Sequence, residues 1–455
     1  MKEKSNILNP NEPIIWGING HPVTSKDYLK ISIDQQLQIL QQHQISYYRF
    51  DVRLDLEGNV VWYENEFEEL LKKSQSYQIE LMPVILINLF FDDYQITEEE
   101  AFLRGQRQMK GFVSKYGQNI DVYALGNEQD LRLLKNDSTG LYPSDYEVDK
   151  FKIVAAYFKG MISGIKQVNP NSKTIINSSN GLYFGYYQLL EDYQIDYDII
   201  GYQWYSFSYG SEKIFADAIM DLYSQFKKPI WVTEINRTHG SLEDDNNDQS
   251  YLMDSFMRTL NLIPEIKAFF IYELFDEPSL KGLHKEFEQS QYGIFKWNGS
   301  NKIEPKPVSD VVKLNIEEKK NGSENYVFSV FQKLLLKEPS KDELDFWSKQ
   351  FESANSMESF LELFLSEQQV YFEKVLSLNR SAKERKEISG VKTDQVYEQY
   401  LNRLPNPVEK RFWVSKLSTK SPIFDIHRTI LLSEEFWVNA MRNGYERNSG
   451  FKFNN

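Results

Sequence analysis

The sequence holds no cysteine among its 455 residues. That removes disulfides, thiolate-bound zinc, iron–sulfur clusters and cysteine nucleophiles in one step, and leaves the redox compartment open. Histidine is scarce as well. His21, His43, His239, His284 and His427 are scattered, without the short spacings that bind zinc, so no metal and no other cofactor is expected. Positive charge is in deficit, with 52 Lys and Arg against 66 Asp and Glu and a net charge of −14. Such a surface repels phosphate backbones and anionic lipid, which argues against nucleic-acid and membrane-surface partners. Long apolar runs are missing too. The opening Met1-Lys2-Glu3-Lys4-Ser5-Asn6 gives no apolar stretch of signal-peptide length, and no later run is long enough to insert in a bilayer. The expected address is therefore cytoplasmic, or exported without a visible signal.

What is present in quantity is aromatic: 8 Trp, 28 Tyr and 30 Phe make up 15 % of the chain. Flat rings stack on sugars or bases but also fill cores, so this excess alone assigns nothing. Up to about residue 310 one rhythm repeats: a short apolar run, a polar loop, an amphipathic stretch, then the next run. Eight runs fit buried strands: Ile14–Asn19, Ser46–Val52, Leu81–Leu89, Ile120–Asn127, Lys173–Ser178, Tyr197–Trp204, Pro229–Asn236 and Ile266–Glu273. They are nearly continuously apolar, as parallel strands covered on both faces should be. Between them Phe67, Leu70 and Leu71 keep helical spacing, and Asp145–Val168 stops at Asn169-Pro170. Eight strand–helix units predict an α/β fold, a (β/α)8 barrel over residues 1–314. An open doubly wound sheet fits less well, because Gly17-Ile18-Asn19-Gly20 is no phosphate fingerprint and no Walker loop occurs.

The polar stretch Glu317-Glu318-Lys319-Lys320-Asn321-Gly322-Ser323 reads as a linker over 315–325. Beyond it, 326–455 predicts an all-α domain with an internal repeat. Phe331 to Trp347 aligns without gaps on Tyr397 to Trp413, Pro339 falling on Pro405, and Leu365-Ser366-Glu367 matches Leu432-Ser433-Glu434 one residue later. Two similar helical units packing together would bury their Trp residues.

In a barrel, reacting groups stand at the C-terminal strand ends, where the loops share one cleft. Two carboxylates do so here: Glu128 closes Tyr123-Ala124-Leu125-Gly126-Asn127-Glu128, and Glu234 sits in Trp231-Val232-Thr233-Glu234. An acid ending an apolar run has no packing reason to be there. Strands four and seven face each other across the mouth. A carboxyl pair about 5 Å apart suits a retaining glycosidase, with one nucleophile and one acid/base; about 6.5–9.5 Å would suit inversion.

At these strand ends the sequence resembles the clan A glycoside hydrolases, most closely family 39-like barrels acting on polysaccharides. The resemblance implies that Asn127-Glu128 supplies the acid/base Glu128 with Asn127 on the sugar 2-hydroxyl, and that Glu234 is the nucleophile. It implies that Arg49, in Tyr48-Arg49-Phe50-Asp51, supports Glu234. Strand six of the clan ends His-x-Tyr; Gln203-Trp204-Tyr205 keeps Tyr205 but replaces His by Gln, which donates a hydrogen bond without titrating near neutrality. Where the clan often has a subsite Trp, strand eight reads Tyr272-Glu273. Substrate contacts are thus expected from Asn127, Arg49, Gln203, Trp204 as a stacking platform, Tyr205, Glu273, His21 and Asn88. The acidic run 243–248 reads as a solvated loop lacking the spacing of a calcium site. The helical repeat resembles the bacterial domain of unknown function 4214 in its Phe346-Trp347 and Phe412-Trp413 pairs, which implies a protein or glycan partner. The expected substrate is an oligo- or polysaccharide. The same residues also fit a weakly active carbohydrate-binding barrel, or a transglycosylase using the same two acids.

Overall fold

In the computed structural model, the described residues are 14–440 apart from 88–94, 180–183, 207–210, 242–247, 260–262, 264, 283–288, 300–301, 321, 355, 368–392, 419–423, 434 and 437–438. The chain divides into two compact units, Ile14–Ile316 and a second that takes up at Glu317. Among the described residues no helix is long and apolar enough to cross a membrane.

The first unit is a closed barrel of eight parallel strands in sequence order. They are β1 Ile15–Gly20, β2 Tyr47–Val52, β3 Glu80–Ile85, β4 Val122–Leu125, β5 Lys173–Ser178, β6 Ile199–Ser206, β7 Ile230–Arg237 and β8 Ile266–Ile271. Among the described residues the helices between successive strands are α1 Ile33–Gln42, α2 Glu64–Ser74, α3 Glu98–Tyr116, α4 Gln129–Leu133, α5 Val148–Val168, α6 Phe184–Asp192, α7 Ser211–Phe226 and α8 Asp248–Thr259. Local signals set their ends. Ser32 and Gln35 cap α1 reciprocally, and Thr97 caps α3 ahead of three glutamates that complement the helix dipole.

The strands are apolar throughout because both faces are covered. Met82, Val84, Val122, Ala124, Ile175, Trp231 and Phe270 fill the barrel, while a larger cluster packs strands against helices. Trp231 and Phe270 stack inside, ring centroids 5.9 Å apart. Gly17 makes that possible, since a Cβ there would meet the Phe270 ring at 2.2 Å.

The flexible linker expected at 315–325 is a correction. Residues 315–320 belong to a ninth helix, α9 Pro307–Lys320, and Gly322–Val330 is helical too. Val308, Val312 and Ile316 recur every four residues and are buried, and Glu and Lys are good helix formers, so the polar run continues a helix.

The second unit has its own core, with Tyr326, Phe331, Trp347, Phe360, Tyr400 and Trp413 buried, and the described part holds helices and no strand. The repeat recurs in structure. Lys341–Ser353 matches Pro407–Ser418, the left-handed Leu336 matches Asn402 (φ 52° and 55°), and Ser340 and Asn406 both cap the following helix.

Candidate active site

The strand ends open into a cavity of about 820 Å³ lined by Asn127 and Glu128, by Glu234 and Tyr205, and by Arg49, His21 and Tyr272. Parallel strands deliver these side chains to one rim: Arg49, Tyr205 and Glu234 from the strands themselves, and His21, Asn127, Glu128 and Tyr272 from the residues just past them.

Glu234 depends on an irregularity in β7. Tyr202 pairs with Val232, yet the next residue, Gln203, pairs with Glu234, so Thr233 is an extra residue in the ladder. This bulge turns Glu234 inward beside Gln203. Its carboxylate accepts three hydrogen bonds: Oε1 from Arg49 Nη1 (2.6 Å) and Gln203 Nε2 (2.7 Å), and Oε2 from the Tyr205 hydroxyl (2.6 Å).

Asn127 is fixed as tightly. Its Oδ1 accepts from Arg49 Nη2 (2.7 Å), Gln203 Nε2 (2.9 Å) and Asn177 Nδ2 (2.6 Å), which leaves its own amide hydrogens for a ligand. Glu128 beside it adopts a left-handed backbone (φ 48°), and its N–H donates to Asn177 Oδ1 at 3.1 Å. Burial pushes the Glu128 carboxyl up to about 8, with Glu234 and Asp130 adding to the shift. Asp130, wholly buried behind it and bonded by Ser179, is itself raised by burial to about 6. Two acids of one cavity therefore stand in opposite settings: Glu234 among donors, Glu128 under burial and like charge.

The remaining residues divide. Gln203 is wholly buried under Glu234 and acts through it rather than on the cavity wall. Glu273 is also wholly buried, behind His21, whose Nε2 lies 3.4 Å from Glu273 Oε2. Trp204 is a correction. Strand alternation turns it away from the mouth, where it packs on Phe215 of α7 and on Tyr202, with ring centroids 5.7 and 6.3 Å away. Asn88 and most of the acidic run 243–248 lie outside the described residues.

Sequence reading missed Asn19 and Asn177, the penultimate residues of β1 and β5. Asn19 Oδ1 accepts from Arg49 at 2.5 Å, and its Nδ2 ties β1 to the Thr233 and Ile271 carbonyls. Tyr272 and Tyr292 were missed as wall residues; with Tyr205 they form a triangle of rings 5.4 to 5.9 Å apart. His21, Glu273 and Glu277 offer donor atoms within 4.8 Å of one another, the one such group a cation could use among the described residues.

The family model for glycosyl hydrolase family 53 matches residues 106–334, half of the chain. The chain belongs to glycosyl hydrolase family 53. That membership makes it a clan A glycosidase on a (β/α)8 barrel, with 53 and not a 39-like family as the member within the clan. No curated protein sequence matches the chain. Among solved structures, the family 1 β-glucosidase from Thermotoga maritima matches with TM-score 0.51 and 13 % identity over 68 % of this chain and 99 % of its own in the isofagomine lactam complex. The castanospermine complex of the Thermotoga maritima β-glucosidase gives 0.52 and 12 % over 69 % and 99 %. The β-glycosidase BGL167 gives 0.50 and 12 % over 68 % and 98 %. At such identities the likeness is one of fold.

Proposed function

We propose that this family 53 glycosidase is a retaining enzyme working by double displacement, with Glu234 as nucleophile and Glu128 as acid/base. The observation that carries the reading is the contrast between the two acids. Glu234 is held by three donors, and Glu128 is raised to about 8 by burial and like charge. In the first step a Glu234 oxygen attacks the anomeric carbon, the glycosidic C–O bond breaks, and the Glu128 proton moves to the leaving oxygen. In the second, Glu128 takes a proton from water, the water oxygen attacks the same carbon, and the bond to Glu234 breaks. Asn127, with its amide hydrogens unspent, would donate to the sugar 2-hydroxyl.

Gln203 in place of histidine does not weaken this reading, because its Nε2 still donates to Glu234 and also to Asn127. The substrate class we infer is an oligo- or polysaccharide of a bacterial surface or extracellular matrix. The helical unit, similar to domain 4214 in its Phe-Trp pairs, serves as a docking module for a protein or glycan. Proton NMR of the first-formed sugar tests the mechanism: the product should keep the anomeric configuration of the substrate, and inversion would refute it. Transfer to an added sugar in preference to water would make the same machinery a transglycosylase.

A further inference from the structure

Glu277 is a buried acid on the cavity wall. Its side chain is 4 % exposed and lines the cavity, yet no described residue donates a hydrogen bond to it. Its one ion contact is His21 Nε2 at 3.7 Å, beyond hydrogen-bond reach. Its carboxyl faces the cavity, so a ligand there can bring the donor that the described residues do not. Behind it, the wholly buried Glu273 repeats the pattern: Tyr28 donates to Oε2 at 2.9 Å, while Oε1 has no partner. Asp51 Oδ2 closes the group, 3.8 Å from His21 Nδ1.

The recess belongs to the same cavity as the two catalytic acids. The Tyr272 hydroxyl lies 3.4 Å from His21 Nε2, its ring packs on Tyr205 at 5.9 Å, and Tyr205 donates to Glu234. A sugar placed at Glu234 would thus reach past Tyr272 towards Glu277. We propose that Glu277, with His21 beside it, forms a subsite for a hydrogen-bond-donating group of the sugar, a hydroxyl or a protonated amine. The proposal rests on the glycosidase reading. Three carboxyls, those of Asp51, Glu273 and Glu277, surround one histidine in the recess, an excess of acid groups over basic ones. A donor, and above all a cationic one, relieves that excess.

The test uses the full chain and a panel of 4-nitrophenyl glycosides. The best substrate is compared with its single-deoxy counterparts and with its amino-sugar analogue, in wild type and Glu277→Gln. The variant should lose about 10- to 100-fold in kcat/KM on the parent glycoside, chiefly through KM. It should lose little on the one deoxy counterpart that lacks the recognised hydroxyl. If the amine is the ligand, the amino-sugar glycoside is the preferred substrate and suffers the largest loss. Should Glu277→Gln fold poorly, Glu277→Asp is read on the same series. An equal loss on every glycoside, or none, overturns the subsite while leaving the glycosidase intact. So does a divalent-cation requirement that Glu277→Gln removes, which would make the group a metal site. A wild-type chain that hydrolyses no glycoside overturns the underlying reading and this subsite with it.

Discussion

Arg49 Nη1 lies 2.6 Å from Glu234 Oε1, and through Nη2 the same guanidinium holds Asn127, the neighbour of Glu128, at 2.7 Å. One buried cation thus serves both sides of the mouth, but it makes an ion pair with only one of the two acids. The division of labour proposed for Glu234 and Glu128 follows from that asymmetry.

The first consequence concerns pH. Glu128 must be protonated to act as acid, and burial raises it to about 8, so kcat/KM should hold through neutrality and fall above about pH 8. Asp130→Asn removes a like charge and should move that basic limb to lower pH. A limb at the position of an ordinary carboxyl would contradict the assignment.

The same shift has a stability side. Because the folded chain holds the Glu128 proton to higher pH than an ordinary carboxyl at 4.5, its contribution is full below that value and is lost as pH rises towards about 8. Glu128→Gln should therefore raise the melting temperature at pH 8 and leave it unchanged at pH 4, read by calorimetry at the two pH values.

Removing the shared cation should be costly. Arg49→Met leaves the buried Glu234 carboxyl without its ion pair, and urea unfolding should report a loss of about 3–5 kcal/mol. Activity should drop by about 100-fold or more as Glu234 and Asn127 lose a common support.

Asn177 holds both members of the Asn127-Glu128 pair without lining the cavity. Asn177→Ala should lower kcat by about 10- to 100-fold with little change in KM, since it displaces the acid rather than the sugar. Steady-state kinetics on one glycoside would decide; a change confined to KM would place Asn177 in binding instead.

Trp204 offers a control. Packed between Tyr202 and Phe215 and away from the mouth, it should cost about 3–5 kcal/mol of stability as Trp204→Ala while KM stays as in wild type. A large rise in KM would restore it to the sugar site.

Much of the barrel was legible because strands buried on both faces write themselves as apolar runs. Lys173–Ser178 is both the run and the strand, and the other strands differ from their runs mainly at the ends. The acids were legible too, since Glu128 and Glu234 break such runs. What was not legible came from register and orientation. The bulge at Thr233 aims Glu234 but leaves no trace in composition, and the period-two alternation that sends Trp204 outward needs the strand register first. Asn19 and Asn177 are neutral and short, so nothing in sequence separates them from loop asparagines. Glu317 to Lys320 misled for the opposite reason: a charged run fits an exposed helix as well as a linker.

The most direct test is to trap the sugar on the enzyme. A 2-deoxy-2-fluoro glycoside with a good leaving group slows the release of a glycosyl-enzyme more than its formation. After proteolysis, mass spectrometry should find the fluorosugar on the peptide carrying Glu234, and no label on Glu128. Turnover of the parent glycoside with the label on another residue, or with product of inverted configuration, would contradict the account.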